Sequence, residues 1–211
     1  MYTLVPETTI AGVTVVDTPI VQAAQKYARY HLNDMGFNHV MHSWIFSVVV
    51  YKRLHEVAVS RIDLEDKRFE VDGAEAACDW IKEEQQSGRI EHWDDHRLRL
   101  VWDAIALHTT PTIALYKEQI IKICSLGIAA DFRGPDLDTN GTISEEVFDA
   151  VNKRFPRLDL ANGIREIFCG FCQTKPRLSW KPHMMKFGKR YVKGYKAEGS
   201  LMLDVIQATA K

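Results

Sequence analysis

Apolar residues recur along most of this chain at the three- and four-residue spacing of amphipathic helices, and no stretch of convincing length alternates as a strand does. Thr18 followed by Pro19, and later Ser144 followed by two glutamates, are typical helix starts. A break at Asn33–Gly36 separates the first two helices. The pattern predicts helices over 19–31, 38–58, 74–86, 95–108, 113–132, 145–155 and 160–172.

These helices predict one all-α bundle. We expect it to span residues 18–176, with an N-terminal extension over 1–17 and a basic, glycine-punctuated C-terminal segment over 177–211 packed on or trailing the domain. No internal repeat, low-complexity tract or interdomain linker interrupts the pattern. A single helical domain is therefore the economical interpretation.

The overall charge and composition exclude several classes of protein. A net charge of -1 gives no general attraction to nucleic acid or to an anionic membrane surface. No apolar run approaches the roughly 18 residues that span a bilayer, and the first residues lack the basic region of a signal peptide. Four cysteines are too sparse for a disulfide scaffold, so we expect a cytoplasmic protein with reduced thiols.

Three ionisable residues fall on the inward faces of predicted helices. His42 shares a face with Ile45 and Val49, and His108 extends the stripe of Val101 and Ile105. Asp131 lies at i+11 from Ile120, on an apolar stripe rather than on a polar face. We therefore expect His42, His108 and Asp131 to form a buried polar site.

A buried carboxylate must be paired, hydrogen-bonded or bound to a cation, because desolvating it alone costs several kcal/mol, on the order given for buried ions. The two histidines are natural partners for Asp131, either as joint metal ligands or as a proton-transfer pair. Each histidine alone is equally consistent with a core residue bonded to a backbone carbonyl. The sequence leaves these alternatives open.

Four blocks carry a resemblance to a known family: NHVMHSWIFS, KRFEVDGAEAA, VWDAIALHTT and GIAADFRGP. From about Ala24 to Pro176, their order and spacing resemble HD-domain proteins, in particular the cyanamide-hydratase-like branch. This resemblance implies a helical bundle that holds a divalent metal, zinc or iron. In that branch the metal polarises water or substrate so that water adds across a nitrile.

The resemblance also implies roles for individual residues. The family's ligands are a first His, an adjacent His-Asp pair and a late Asp; the first corresponds to His42 and the last to Asp131. His108 would line the pocket as a proton shuttle. Glu70, in the FEVDG block, lies on the stripe of its helix and would hydrogen-bond a ligand or a histidine, unless it serves only at the helix start with Asp72.

The family's His-Asp pair is missing. No such dipeptide occurs between the first two blocks, and the nearest candidate is His55-Glu56. On one continuous helix, His42 and His55 would lie roughly 20 Å apart and about 140° around the axis, so they could not share a metal. The metal site is therefore incomplete. The loss would also remove a core helix, so we expect the fold to be either compromised or completed by a partner.

Weaker signals point elsewhere. Residues 136–143 resemble the start of an EF-hand loop, but position twelve is Val147 instead of a bidentate glutamate. His92 with His96, and His39 with His42, have spacings that can chelate a metal on a helix face. Cys169 and Cys172 form half of a zinc site, and packing explains them better. The C-terminal tail is basic, but the near-neutral charge of the whole chain favours a solvated tail over an RNA-contacting surface.

Two functions follow as leading hypotheses. The first is a metal-dependent hydro-lyase of a small nitrile-like substrate, with His42 and Asp131 as metal ligands and His108 and Glu70 as catalytic residues. The second is a catalytically inactive homologue that acts as a binding or regulatory module. Either one implies a small-molecule partner, no nucleic acid and no membrane, with homo-oligomerisation left open. A calcium-responsive protein, resting on the imperfect loop, is third.

Overall fold

The structure, a computed structural model, describes residues 5–50, 68–135, 143–174 and 182–195. Within these ranges the chain is built from helices and one small two-stranded sheet, which confirms the all-α prediction. The elements are β1 Glu7–Ile10, β2 Val13–Val16, α1 Pro19–His31, α2 Asp34–Val50, α3 Phe69–Gln86, α4 Asp95–Leu107, α5 Pro111–Ala114, α6 Gln119–Arg133, α7 Glu145–Arg154, α8 Leu160–Thr174 and α9 Pro182–Tyr191.

The chain divides into two compact units. The first contains both strands and the helices α1 to α7, and its described residues are 5–50, 69–135 and 143–158. The second contains α8 and α9, which pack against each other through an edge-to-face pair of Phe168 and Phe187 with ring centroids 5.3 Å apart. All four residues chosen as site candidates belong to the first unit.

Several helices begin or end where their local chemistry predicts. Pro19 occupies the first turn of α1, where its missing N–H costs nothing. Asp94 caps α4 by accepting a hydrogen bond from the Arg97 N–H at 2.8 Å. Ser144 caps α7 in the same way through the Val147 N–H, at 3.4 Å. The short polar side chains at these positions fix the boundaries of both helices.

Two predicted boundaries were wrong. Helix α2 begins at Asp34, so Gly36 lies inside its first turn and does not break it. The Asn33 side chain caps this turn by accepting from the Gly36 N–H at 2.8 Å. The predicted helix over 113–132 is two helices, α5 and α6, separated by residues 115–118. A continuous apolar pattern hid this turn, since no Gly or Pro marks it.

The N-terminal extension contains a hairpin that the sequence did not predict. Strands β1 and β2 pair antiparallel, with Ile10 opposite Val13. Ala11 and Gly12 connect them with φ values of 52° and 79°, as a tight two-residue hairpin turn requires. Val13 and Val15 are buried in the core on α2, so four-residue strands with a single buried face are enough to dock this extension.

Helix α2 is the centre of the first unit. Trp44, Ile45 and Phe46 are all buried, and the helix packs against the hairpin, α6 and α7. A helix that is apolar around most of its surface must be covered on several sides. A second group of buried residues lies between α3 and α4 and includes Ala74, Ile81 and Val101. The site candidates lie between these elements.

A close crossing sets the position of α6 against α2. A Cβ atom on Gly127 would lie 2.0 Å from Ser47 Oγ, 2.6 Å from Ser43 O and 2.7 Å from Ser47 N. The serine hydroxyls turn back along α2: Ser47 donates to Ser43 O at 2.6 Å, and Ser43 donates to His39 O at 2.8 Å. Small residues on both helices therefore let the two backbones approach.

We predict that Gly127→Ala lowers the free energy of unfolding by about 2 kcal/mol or more, because the new methyl group meets backbone atoms that cannot move aside. Urea unfolding followed by circular dichroism measures the change. Gly170→Ala in α8 is the matched control, since a Cβ there has no heavy atom within 4 Å. That control should gain up to about 1 kcal/mol. Equal stability of Gly127→Ala and wild type would contradict the crossing.

Candidate functional site

The candidate site is centred on Asp131, whose side chain is fully buried in the last turn of α6. Asp131 follows Gly127 by four residues, so the two share the face of α6 that crosses α2. The close approach at Gly127 thus brings the Asp131 carboxylate against the side chains of α2. A residue chemically suited to solvent is held in the interior by backbone geometry.

Two histidines of α2 bond to this carboxylate, one to each oxygen. His39 Nδ1 donates to Asp131 Oδ2 at 2.5 Å, and His42 Nδ1 donates to Asp131 Oδ1 at 2.7 Å. His42 is fully buried, whereas the His39 side chain retains 20% exposure and packs its ring on Phe132. One helical turn of α2 therefore satisfies both carboxylate oxygens.

Arg157 is the third side chain on Asp131. Its Nη2 donates to Oδ1 at 3.1 Å, and its guanidinium lies over the Phe148 ring, 5.0 Å from the centroid. The guanidinium brings a fixed positive charge to the buried carboxylate, and its donors suit carboxylate oxygens. Asp131 is thus surrounded by donors that belong to the protein itself.

The segment that carries Arg157 is fastened to α2 by two successive carbonyl groups. His42 Nε2 donates to Phe155 O at 2.6 Å, and Asn38 Nδ2 donates to Pro156 O at 2.6 Å. Asn38 and His42 are one turn apart on α2, so both face this segment. Both ring nitrogens of His42 therefore lie within hydrogen-bonding distance of protein oxygens.

The electrostatic balance at Asp131 favours the ionised carboxylate. Burial alone would raise its pKa, but the hydrogen bonds from His39 and His42 and their positive charges outweigh burial and lower the pKa to about 2. The carboxylate therefore carries its charge throughout the physiological pH range. We call Asp131, His39, His42 and Arg157 the aspartate cluster.

The structure does not bring all the predicted site residues together. His108 caps the end of α4, half-buried, and its Nδ1 donates to Ile105 O at 2.6 Å. Glu70 is buried at the start of α3 and accepts a hydrogen bond from Thr109. Among the described residues, neither His108 nor Glu70 bonds to His42 or Asp131. His42 and Asp131 thus belong to the aspartate cluster, whereas Glu70 bonds to Thr109 and His108 lies edge-on to Phe69, with ring centroids 5.9 Å apart.

The donor set of the aspartate cluster does not fit a divalent metal. A metal-bound histidine keeps one nitrogen for the metal, yet both nitrogens of His42 face protein oxygens at hydrogen-bonding distance. The guanidinium of Arg157 takes a place on Asp131 Oδ1 where a second cation would be repelled. Elsewhere in the described ranges, no three His, Cys, Asp or Glu residues are grouped as metal ligands.

The remaining features predicted from the sequence lie elsewhere. His55-Glu56 and most of the EF-hand-like loop lie outside the described residues. His92 and His96 are exposed, the first just before α4 and the second in its first turn, as the solvated interpretation expects. Cys78 and Cys172 are buried free thiols.

The sequence did not predict two members of the cluster, His39 and Arg157, as site residues. His39 was visible only as an i, i+3 partner of His42, a spacing that many surface histidines share. Arg157 offered no signal, because it follows Pro156 outside any helix and reaches Asp131 from 26 residues away. A carboxylate on an apolar stripe predicts that a cationic side chain lies nearby, but it does not identify which arginine that is.

Comparisons with known proteins supply no relative for this chain. No protein-family model, no curated protein and no solved structure matches it. The HD-domain resemblance therefore stays a prediction from the four sequence blocks. Across the described residues, every helix is too short or too polar to cross a membrane.

We predict that Asp131 makes stability depend on pH in the acid range. Its pKa falls from the ordinary value of 3.8 to about 2 on folding, so the carboxylate contributes stability that is complete above about pH 4. This contribution, about 2 kcal/mol, is lost as the pH falls through the folded value. Urea unfolding at several pH values between 2 and 7, for wild type and Asp131→Asn, measures it.

At pH 7, Asp131→Asn should lose about 3 kcal/mol, because it removes the buried negative charge to which His39, His42 and Arg157 donate. The difference from wild type should shrink as the pH falls from 4 to 2. Asp149→Asn, an exposed carboxylate on α7, is the control and should follow the wild-type curve. A constant difference between wild type and Asp131→Asn across this range would contradict the lowered pKa.

Proposed function

We propose that this protein is a non-catalytic helical module, descended from a metal-dependent HD-type bundle, that acts in binding or regulation. The observation that carries the proposal is the complete engagement of the Asp131 carboxylate by His39, His42 and Arg157. The residue types of a metal centre are present, but they bond to one another. The cluster is then a structural ion-pair network that joins α2, α6 and the segment after α7.

The partners of His42 support this proposal. A catalytic imidazole or metal ligand needs one nitrogen directed at the reacting centre. Here Nε2 bonds to a backbone carbonyl and Nδ1 bonds to a buried carboxylate. His42 and Asp131 are both fully buried, so neither side chain presents a surface to solvent.

The separation of His108 and Glu70 from the cluster supports the same proposal. A proton shuttle must lie within hydrogen-bond reach of the group it serves. His108 Nδ1 bonds within its own helix end, and Glu70 accepts from Thr109. The bond between Glu70 and Thr109 links the start of α3 to the residues after α4, which supports a structural role for Glu70.

A metal-dependent hydratase is the second candidate. The observation that favours it is the convergence of two imidazoles on one carboxylate, because these are the ligand types of zinc and iron sites. Metal binding would require Arg157 to leave Asp131, and the imidazoles would have to separate from the carboxylate oxygens. The two candidates therefore differ in metal content.

We predict that the protein, purified without chelator, holds less than about a tenth of an equivalent of zinc, iron or manganese by elemental analysis, because hydrogen bonds already satisfy its candidate ligands. Excess EDTA should leave the melting temperature unchanged. The wild-type protein should not hydrate cyanamide or simple nitriles faster than the His42→Ala variant does.

About one equivalent of metal in the wild type, lost in His42→Ala and retained in a His92→Ala control, would overturn the proposed function in favour of the hydratase. His92 is a suitable control because it is an exposed histidine outside the cluster.

A further inference from the structure

We infer that a cleft next to the aspartate cluster binds a small organic anion, with Arg154 as its anion-contacting residue. The cleft has a volume of about 600 Å³ and lies entirely within the first unit. This volume is within the range of pockets that hold small molecules. The inference rests on the proposed binding role and deepens it by naming a ligand class.

The walls of the cleft come from four parts of the first unit. The hairpin turn contributes Ala11, α1 contributes Arg29, α2 contributes Phe37 and Met41, and the segment after α7 contributes Phe155. Phe155 joins the cleft to the aspartate cluster: its carbonyl accepts from His42, and its ring lines the cleft. The cluster therefore fixes one wall of this cleft.

Two residues of the cleft lining form an aromatic pair with a guanidinium near each ring. Phe37 and Phe155 meet edge-to-face, with centroids 6.3 Å apart. Arg29 lies over Phe37 and Arg154 lies over Phe155, each 5.0 Å from the ring centroid. These ring contacts restrict both guanidiniums. The Arg29 guanidinium donates to Asp34, whereas that of Arg154 leaves its N–H groups available to a ligand.

The charge of the cleft suits a single anion. Arg29 pairs with Asp34 at 2.5 Å, so these two charges nearly cancel. Arg154 also lines the cleft. Within the part of the chain that the structure describes, the Arg154 charge has no paired carboxylate. Its planar set of donors suits a carboxylate or phosphate group.

One residue of the lining has an unusual backbone conformation. In the described ranges, the non-glycine residues with positive φ are Ala11 at 52°, which the hairpin turn requires, and Leu158 at 53°, which lies outside that turn and lines the cleft. Such conformations are costly and tend to persist at ligand sites. Leu158 is 60% exposed and belongs to the same lining. Apolar lining residues beside the Arg154 guanidinium favour an anion with an aromatic or short aliphatic body.

Phenyl phosphate and benzoate are suitable probes, and benzyl alcohol is the neutral comparison. Isothermal titration of the full chain should show saturable binding of at least one anion, with a dissociation constant of about 1 mM or tighter. The neutral probe should bind more weakly. Tighter binding of phenyl phosphate identifies a phosphate ligand, and tighter binding of benzoate identifies a carboxylate.

Arg154→Gln should weaken binding of the preferred anion by about tenfold or more, because a charge-assisted hydrogen bond is lost. Arg154 is exposed, so the variant should keep the wild-type circular dichroism spectrum. The matched control is Arg97→Gln, an arginine stacked on Trp93 at 4.1 Å outside the cleft lining, and it should bind as wild type does.

Absence of saturable binding of both anions, or equal weakening in Arg154→Gln and Arg97→Gln, would overturn the cleft assignment. The result is separate from metal content. A protein that holds a metal and also binds the anion in the cleft would refute the proposed function and retain this inference. A metal-free protein that binds neither anion would retain the proposed function and refute this inference.

Discussion

The first unit depends on the neutralisation of one buried charge. Asp131 is desolvated on α6, and an ionised carboxylate in the interior is tolerated only when hydrogen bonds and opposite charges replace its hydration. His39 and His42 provide these from α2, and Arg157 provides them from the segment after α7. Because the three partners come from two other parts of the chain, this charge fixes α2, α6 and that segment relative to one another.

Close packing and ion pairing support each other at this crossing. Gly127 permits the approach of α6 to α2, and this approach places Asp131 within reach of the histidines. His42 then extends the network to the carbonyl oxygen of Phe155, and Phe155 lines the neighbouring cleft. A single arrangement thus links a helix crossing, a buried ion pair and a proposed ligand site. Such a network favours conformational specificity over net stability, since a well-packed apolar replacement often costs little.

The sequence predicts the helices better than the site. Periodicity and caps identify α1, α4, α7 and α8 closely, because each has a clear start signal and one apolar stripe. The break between α5 and α6 and the N-terminal hairpin lack such signals. For the site, the stripe of α6 correctly points Asp131 inward, and the stripe of α2 does so for His42. The partners Arg157 and Phe155 O depend on the path of a non-helical segment, which no local pattern determines.

The central claim is that His42 and Asp131 form a coupled structural pair, and a double-mutant cycle tests it most directly. His42→Ala, Asp131→Ala and the double variant would be compared by urea unfolding at pH 7. The account predicts a coupling energy of about 2 kcal/mol, with the double variant much more stable than the two separate losses imply. Additive losses, to within about 0.5 kcal/mol, would contradict the account.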